Sequence, residues 1–581
     1  MKILENCKTE YHICMNKDGS AASRYACQEL QKYIYQSTNV CIPVFSDKCK
    51  KRGPELLIGG ARNSFKDLDL TSLGAEGYLV TAKGQDIIFA GNSPRSILYS
   101  VYGFLEDMLG FRCFSADCEK VDEKDTLEFI DDIKQIFDFE YRENYWTDSF
   151  DGPFCAKNML NSNLADLSEK LGGKVKWFNF HHSFSDLVSP DKYFDKHPEY
   201  FSLIDGKRRK EHTELCLSNE DVFKIALDGV KKWIIANPDC KVFSVSQDEW
   251  MGHFVKLACE CKNCKAIDDY EESQSGSIIT FVNKIAREIK LEYPDKLIHT
   301  FAYQYSRKPP KYLCPESNVI VRLTNIECSW GMGIKEAAIK NKASEEAKFY
   351  NDLKGWSEKT SRLYIWDYAV NYRNYLLPFP NIRAMAKNIE LYRELGVKGL
   401  LMQGNFSYGG KGYFDELKAY VSAKLMCSNK YSLEELMKEF CDNYYGVSGK
   451  YIYDYCNLFE DAGYGKKIWL YDDSDHEMFT DDLVKEAKKL LDKAMGLCSN
   501  IKYKERLNKL KVGWEYLYIT RLPLDNPNRD ELINNFEEEI RHLKITELFE
   551  RTELEYSLNV MRKSRYCKDR SDWYSLYYIM K

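Results

Sequence analysis

The feature that most constrains the fold is a repeated alternation of strand-like and helix-like stretches between about residues 138 and 425. Strand-like runs occur at 137–141, 159–164, 177–181, 242–246, 297–303, 319–323, 362–366 and 397–402. Amphipathic helical stretches, such as 277–292 and 380–395, lie between most of them. Eight alternating strands predict an α/β fold of the (β/α)8 TIM-barrel type. A doubly wound open sheet is the alternative, because the first two runs are weakly marked.

The segments on either side of this region carry different patterns. Residues 1–132 mix short strand signals with two helical stretches and predict a small N-terminal α/β domain. Residues 133–428 hold the predicted barrel. Residues 429–581 show helical periodicity without strand signals and predict a helical C-terminal region. Three domains suit a chain of 581 residues, which is too long for a single hydrophobic core.

Charge and hydropathy exclude several classes of partner. The net charge is -6, from 83 basic and 89 acidic residues, which argues against a nucleic-acid partner. No window approaches the roughly 18 apolar residues of a membrane span, and the N-terminus lacks the apolar core of a secretory signal. We therefore expect a cytoplasmic chain whose 20 cysteines are reduced, with a homodimer left open as its assembly.

Polar and aromatic residues follow the predicted strand ends. They are His181, His182, Asp248, Glu249, Trp250, Tyr303, Glu327, Trp366, Asp367, Tyr368, Gln403 and Asn405. The carboxyl ends of barrel strands share one rim, so we expect these residues on one surface. Phosphate-binding glycine loops and dinucleotide fingerprints do not occur there. The aromatic content of 14% suits a sugar-binding cleft as well as a tyrosine-rich core.

Two carboxylates across a cleft are what glycosidic cleavage needs, one protonated and one ionised. We predict Glu249 as the acid. Asp367 is the first candidate for the second carboxylate, and Glu327 is the next. Asp248 would orient a substrate group or hold Glu249. The alternative is that the acid pair caps a helix.

The remaining rim residues are predicted to bind the substrate. They are His181, His182, Trp250, Tyr303, Trp366, Tyr368, Gln403 and Asn405. Adjacent residues at a strand end point in opposite directions, so one histidine of the pair should face the cleft. The histidine pair could instead ligate a metal ion.

A second candidate metal site follows the acid pair. Cys259, Cys261 and Cys264 are spaced densely enough for zinc, but a tetrahedral structural site takes four ligands. The fourth could be Cys216, Cys328 or His253. The open alternatives are free thiols or a disulfide. The proposed chemistry itself requires no cofactor.

Part of the N-terminal region resembles a known domain. The segments are Glu76-Gly77-Tyr78, 87–91 (IIFAG), 97–106 (ILYSVYGFLE) and 109–114 (LGFRCF). Together they resemble the non-catalytic N-terminal domain shared by α-glucuronidases and β-N-acetylhexosaminidases.

Later segments look like a large bacterial family of unknown function whose barrel is similar to both enzyme groups. They are 197–201 (HPEYF), 215–219 (LCLSN), 244–249 (SVSQDE), the three-cysteine cluster, 300–303 (TFAY), 366–368 (WDY) and 378–381 (PFPN). This resemblance spans most of residues 20–460. It implies a (β/α)8 glycoside hydrolase that acts on a chain end.

The resemblance also implies roles for the acid pair. Hexosaminidases carry an Asp-Glu pair at strand four, in which Glu is the acid and Asp steers the N-acetyl group. Asp248-Glu249 matches that pair and departs from the Asn-Asp that the family of unknown function often carries. In α-glucuronidases later strands supply the base, and Glu327 or Asp367 would be the equivalents by position.

We therefore expect an exo-acting glycoside hydrolase of the β-N-acetylhexosaminidase or α-glucuronidase kind, with an oligosaccharide or glycoside as its substrate. Two alternatives stay open. One is a catalytically silent carbohydrate-binding protein on the same fold, and the other is a metal-dependent hydrolase that uses His181, His182 and the cysteines.

Overall fold

The computed structural model describes residues 1–249 and 257–564. The chain packs into two compact units, each assembled from separate segments. The first contains Met1–Lys174, Phe414–Tyr453 and Gly496–Tyr503, and the second contains Val175–Tyr413, Asp454–Met495 and Lys504–Lys581. The predicted boundaries at 132 and 428 follow changes in secondary-structure type rather than packing, so the three-domain division stays a prediction.

The first unit is a mixed α/β structure. Its strands are β1 (Lys2–Leu4), β2 (His12–Met15), β3 (Val44–Ser46), β4 (Glu55–Ile58), β5 (Tyr78–Lys83), β6 (Asp86–Gly91), β7 (Arg112–Ser115), β8 (Cys118–Lys120), β9 (Leu127–Glu128), β10 (Ile133–Gln135) and β11 (Tyr141–Tyr145). Its helices include α1 (Ala21–Thr38), α2 (Pro94–Leu109) and α3 (Gly152–Lys157).

A six-stranded sheet in the order β10-β5-β6-β4-β2-β3 forms the centre of the N-terminal region. Local sequence signals explain the helix that packs on it. Ser93 caps α2, Pro94 starts it, and Gly110 ends it with φ of 60°, a left-handed conformation that glycine adopts without strain. The predicted N-terminal α/β structure is present.

The second unit carries a parallel sheet. Its further strands are β12 (Trp177–Phe178), β13 (Leu203–Ile204), β14 (Lys207–Arg208), β15 (Val242–Ser244), β16 (Leu297–Ala302), β17 (Val319–Thr324), β18 (Leu363–Tyr368) and β19 (Gly399–Gln403). Six of them pair in parallel in the order β12-β15-β16-β17-β18-β19. Helices connect these strands: α4 (Phe184–Leu187), α5 (Pro190–Tyr193), α6 (Glu220–Ala236), α7 (Lys262–Tyr270), α8 (Ser275–Glu292), α9 (Ile334–Lys340), α10 (Glu345–Lys359) and α11 (Ile382–Glu394).

The fold is therefore a mixed α/β structure with a curled, half-barrel parallel sheet, and the closed eight-stranded barrel goes beyond what this sheet shows. Two of the predicted strands differ from the structure. The run 137–141 overlaps β11 only at Tyr141. Residues 159–164 form no strand, because Asn161 is occupied in hydrogen bonds with the Arg142 backbone N–H, the Glu140 carbonyl and the Glu76 carboxylate. A polar side chain used this way replaces the backbone ladder of a strand.

The C-terminal region is helical, as predicted. Its helices are α12 (Asp415–Cys427), α13 (Leu433–Tyr444), α14 (Gly449–Gly463), α15 (Asp481–Leu497), α16 (Ile501–Arg521), α17 (Arg529–His542) and α18 (Leu554–Lys563). Helical periodicity continues toward residue 548, but α17 ends at His542, because the backbone of the chain after it hydrogen-bonds to other loops. The backbone N–H of Thr546 donates to the Gly409 carbonyl at 2.6 Å, and that of Tyr375 donates to the Leu548 carbonyl at 3.0 Å.

Helices of the described residues are too short or too polar to cross a lipid bilayer.

Candidate active site

The carboxyl ends of the parallel strands bring several predicted residues to one edge of the sheet, as parallel strands require. The residues that end or closely follow these strands are His181, His182, Asp248, Glu249, Tyr303, Trp366 and Gln403.

Glu249 is held by side chains from two other strand ends. The hydroxyl of Tyr303 donates a hydrogen bond of 2.6 Å to Oε1 of Glu249. Nε2 of His182 lies 3.7 Å from Oε2, and the Glu249 side chain is 31% exposed. A carboxyl group that is positioned and still reaches solvent can exchange a proton with a bound ligand.

His182 is oriented toward Glu249 by its other ring nitrogen. Nδ1 lies 2.9 Å from the carbonyl oxygen of Gln247. A carbonyl only accepts hydrogen bonds, so Nδ1 carries the hydrogen and Nε2 faces Glu249. The backbone φ of His182 is 48°, a left-handed conformation that few non-glycine residues adopt.

Gln247 links the strand ends beneath Glu249. It is fully buried, its Nε2 donates to the Tyr303 carbonyl at 3.1 Å, and its Oε1 accepts from the Ser306 hydroxyl at 2.5 Å. Because every one of these groups is satisfied, the segment that carries Glu249 has a defined position relative to Tyr303.

Asp248 points into the protein, where it meets a second acid. Its Oδ2 accepts from the backbone N–H of Ser185 at 2.9 Å, and its own N–H donates to Oε2 of Glu214 at 3.3 Å. Burial raises the pKa of Asp248 to about 6. Burial and the nearby Asp248 raise the pKa of Glu214 well above its usual range.

Sequence reasoning missed Glu214. It stands directly before the 215–219 run, and an acid next to a buried apolar run is the signal that could have identified it. The isolated β-bridge between Phe201 and Leu215 places Glu214 beside Asp248, which lies more than thirty residues away in sequence.

Several aromatic rings pack together around Trp366 and form what we call the Trp366 wall. The half-buried Trp366 on β18 lies 5.9 Å, centre to centre, from the rings of Phe180, His181 and Phe301. Its Nε1 donates to Oε1 of Gln403 at 2.6 Å. An indole fixed in this way presents an apolar face of the kind that packs against the C–H groups of a sugar ring.

A buried cation packs against aromatic rings next to this wall. The guanidinium of Arg322 on β17 lies 4.2 Å from the ring centre of Trp177 and 4.5 Å from that of Phe180. Desolvation at the base of the cleft and the charges of His182 and Arg322 lower the pKa of His181 to about 4, although part of its ring is exposed. His181 is therefore neutral at physiological pH.

Asp367, the first candidate for the second carboxylate, lies on a different face of β18 from Trp366. It follows Trp366 on β18, so its side chain points to the opposite face of the sheet. It is 1% exposed, and its carboxylate accepts from Asn325 at 2.7 Å and from the hydroxyl of Tyr392 on α11 at 2.7 Å. Asp367 joins the sheet to its covering helix instead of facing the cleft.

Glu327 is also engaged elsewhere. Its Oε2 accepts from Arg307 at 3.0 Å, and the same guanidinium bonds Asp352 at 2.9 Å. Burial raises the pKa of Glu327, although Arg307 opposes this effect. The carboxylate belongs to an ion-pair network around Arg307, and its role as a second catalytic carboxylate stays a prediction.

The other predicted binding residues differ in exposure. Tyr368 is 7% exposed and stacks on Trp366 with ring centres 6.4 Å apart. Asn405 is fully buried, and its Oδ1 accepts from the backbone N–H of Ser407 at 3.2 Å, which marks it as a turn-forming residue. Trp250 lies outside the described residues.

The cysteine cluster is completed by a distant residue. Potential ligand atoms of Cys216, Cys259, Cys261 and Cys264 all lie within 4.8 Å of one another. Within 1–249 and 257–564 this is the single group of three or more potential metal ligands, and it contains no histidine. Cys328 is not in the group, and His253 lies outside the described residues.

Two family models match the chain. The model described as Domain of unknown function (DUF4838) matches residues 113–457. The model described as Glycosyl hydrolase family 67 N-terminus matches residues 5–104. A search of curated proteins found no match.

Solved structures of glycoside hydrolases share the fold. A family GH115 4-O-Methyl-alpha-glucuronidase with specificity for decorated arabinogalactans aligns with a TM-score of 0.55 at 10% identity, over 97% of this chain and 80% of the other. A family 89 glycoside hydrolase from Clostridium perfringens, in complex with 2-acetamido-1,2-dideoxynojirmycin, aligns with a TM-score of 0.51 at 12% identity, over 90% of this chain and 65% of the other.

Proposed function

The chain belongs to the DUF4838 family, whose model covers more than half of it, and we propose that it is a glycoside hydrolase in which Glu249 is the general acid. One observation carries the proposal: Glu249 is fixed by Tyr303 and His182 at a strand end and still reaches the solvent beside the Trp366 wall. Protonation of the leaving oxygen requires a carboxyl group in that position.

The wider architecture supports the same class. The N-terminal match is to a domain named for glycosyl hydrolases, and both fold neighbours described above are glycosidases. We take the parallel sheet as part of a (β/α)8-type scaffold, with catalysis at the carboxyl ends of its strands. Exo action follows from the resemblance to enzymes that act on chain ends.

We assign neither predicted candidate as the second catalytic carboxylate, and this limits the class of sugar that the site can hydrolyse. Asp367 is buried and bonded to Tyr392, and Glu327 is paired with Arg307, so we assign neither as the group that attacks an anomeric carbon. In substrate-assisted hydrolysis the acetamido group of the sugar takes that role. We therefore assign N-acetylhexosaminides as the substrate class.

The reaction would proceed in two steps. Glu249 gives its proton to the glycosidic oxygen, which keeps the electron pair of the breaking bond to the anomeric carbon, while the acetamido carbonyl oxygen bonds to that carbon. Water then attacks the anomeric carbon and gives a proton to the Glu249 carboxylate, and the electron pair returns to the acetamido oxygen.

Asp248 and Glu214 would support this chemistry from the interior of the protein. Oδ1 of Asp248 is buried and has no hydrogen-bond partner among the described residues. Glu214 accepts a hydrogen bond from the backbone N–H of Asp248 and so helps to hold the segment that carries Glu249.

A panel of aryl and alkyl glycosides that includes N-acetylhexosaminides and uronides tests the proposal. The wild-type protein should hydrolyse N-acetylhexosaminides. Glu249→Gln should lose about 10²–10⁴-fold in kcat on alkyl glycosides, with a smaller loss on dinitrophenyl glycosides, which need little protonation.

The matched control is Glu358→Gln, a change at an exposed glutamate of α10, which should keep full activity. Full activity of Glu249→Gln on alkyl glycosides would refute the acid assignment. Turnover of uronides alone would refute the N-acetyl class. Thermal shifts with sugars and no turnover at all would favour the carbohydrate-binding alternative.

A further inference from the structure

The cysteine group joins two segments of the second unit that are far apart in sequence. Cys216 follows the β-bridge between Phe201 and Leu215, whereas Cys259, Cys261 and Cys264 lie at the start of α7. All four are free thiols, and three of them are buried. Four cysteines gathered at one point, three of them buried, need a physical reason, because they come from separate parts of the chain.

We propose that Cys216, Cys259, Cys261 and Cys264 bind one zinc ion as a tetrahedral structural site. Zinc–sulfur bonds of about 2.3 Å in a tetrahedron place the sulfurs about 3.8 Å apart. The sulfurs of Cys216 and Cys261 are 3.7 Å apart, and the whole group fits within 4.8 Å. Four protein ligands fill the coordination shell, so the ion would be structural and not catalytic.

The surroundings suit thiolates. The backbone N–H of Leu203 donates to the sulfur of Cys259 at 3.3 Å, and that of Cys264 donates to Cys261 at 3.5 Å. Such donors around the ligands stabilise and orient a metal-bound thiolate. Cys261 is also the N-cap of α7, where the helix dipole favours negative charge.

A hydroxyl group also lies beside the sulfurs. The Ser218 oxygen lies 3.5 Å from the sulfur of Cys261 and 3.2 Å from that of Cys264. Its hydrogen could be donated to a metal-bound thiolate.

The ion would brace the segments that build the acid site. Glu214, which binds the backbone of Asp248, lies two residues before Cys216. Cys259 lies ten residues after Glu249. A bond between Cys216 and the start of α7 therefore fixes both flanks of the acid pair. The metal assignment stands on ligand geometry and does not depend on the proposed activity.

Metal content of the full chain tests the site. Protein produced with zinc in the medium and purified under reducing conditions should contain one zinc per chain by plasma mass spectrometry. Cobalt exchanged into the protein should give the intense thiolate-to-cobalt charge-transfer band of tetrahedral sulfur coordination. Chelation of the wild-type protein should lower its Tm.

Paired variants identify the ligands. Cys216→Ser should lose the zinc, whereas Cys328→Ser, a change at a buried cysteine outside the group, should keep it. Metal-free wild-type protein with four titratable thiols in the group, or with a disulfide between two of them, would overturn the proposal. Equal zinc loss in both variants would overturn the ligand set. Neither readout measures activity, so the proposed function is tested separately.

Discussion

Two neighbouring acids in this protein have opposite surroundings. Glu249 turns toward solvent and is held by Tyr303 and His182, whereas Asp248 turns inward toward Ser185 and Glu214. One carboxyl of the pair is therefore partly exposed, and the other is buried. Their surroundings, and not residue type alone, set this difference.

The hydrogen bond from Tyr303 should matter for turnover. In Tyr303→Phe the ring stays, but the hydroxyl that positions Glu249 is lost. We expect kcat to fall about tenfold, equivalent to about 1.4 kcal/mol of transition-state stabilisation, with an unchanged Tm. Steady-state kinetics on the preferred glycoside checks this. An unchanged kcat would show that Glu249 does not need the tyrosine.

The buried Asp248 should make stability depend on pH. Its pKa in the folded chain is about 6, above its ordinary value, so the unfolded chain releases the proton first as the pH rises. The free energy of unfolding therefore falls between about pH 4 and pH 6, by up to about 3 kcal/mol from this group.

Asp248→Asn should abolish this fall in the free energy of unfolding with rising pH. Urea unfolding at several pH values should show the variant gaining stability relative to the wild type between pH 4 and pH 6. The exposed Asp18→Asn serves as the control and should show no such trend. A constant difference between Asp248→Asn and the wild type across this range would contradict the assignment.

At the scale of elements, alternation along β18 decides on which face of the sheet each side chain lies. Trp366 and Tyr368 share one face, and Asp367 lies on the other against Tyr392. The sequence Trp-Asp-Tyr therefore serves two purposes: a wall for the cleft and an anchor for α11.

Asp367→Ala should therefore destabilise the fold without abolishing chemistry. It removes the acceptor of the Tyr392 hydroxyl and of the Tyr368 backbone N–H, and each loss costs about 1–3 kcal/mol. Urea unfolding should show a loss of about 3 kcal/mol, with activity per folded molecule retained. Normal stability with no activity would restore Asp367 as a catalytic candidate.

At the scale of the whole molecule, the first unit is closed by a contact between its N-terminal and later segments. Lys424 of α12 pairs with Glu106 of α2, and both side chains are almost fully buried. The Tyr431 hydroxyl also donates to Glu106, at 3.0 Å. The unit therefore depends on residues more than three hundred positions apart in the sequence.

Lys424→Met should destabilise this unit by about 3–5 kcal/mol, because the buried carboxylate of Glu106 loses its lysine partner. Lys430→Met is the matched control. It removes an exposed pair with Asp107 and should change stability by at most about 1 kcal/mol. Scanning calorimetry should show a lower transition for the first variant alone, and Glu106→Gln in the same chain should recover most of the loss. Equal effects of the two lysine changes would contradict the assignment.

Much of the fold was predictable from local patterns. Apolar runs located the strands from β15 to β19, and helical periodicity located α8, α11 and most of the C-terminal helices. The position of Glu249 at a strand end was also predictable, because it follows directly from the order of strand and acid in the chain.

The sequence by itself determined where strands and helices form and which residues lie near strand ends, because periodicity and turn signals act over a few residues. Tertiary structure alone decided that Asp367 faces a helix, that Glu214 meets Asp248 and that Cys216 joins the cysteine group. Each of these depends on the direction of a side chain relative to a distant segment, which is set by packing and burial after the chain has folded.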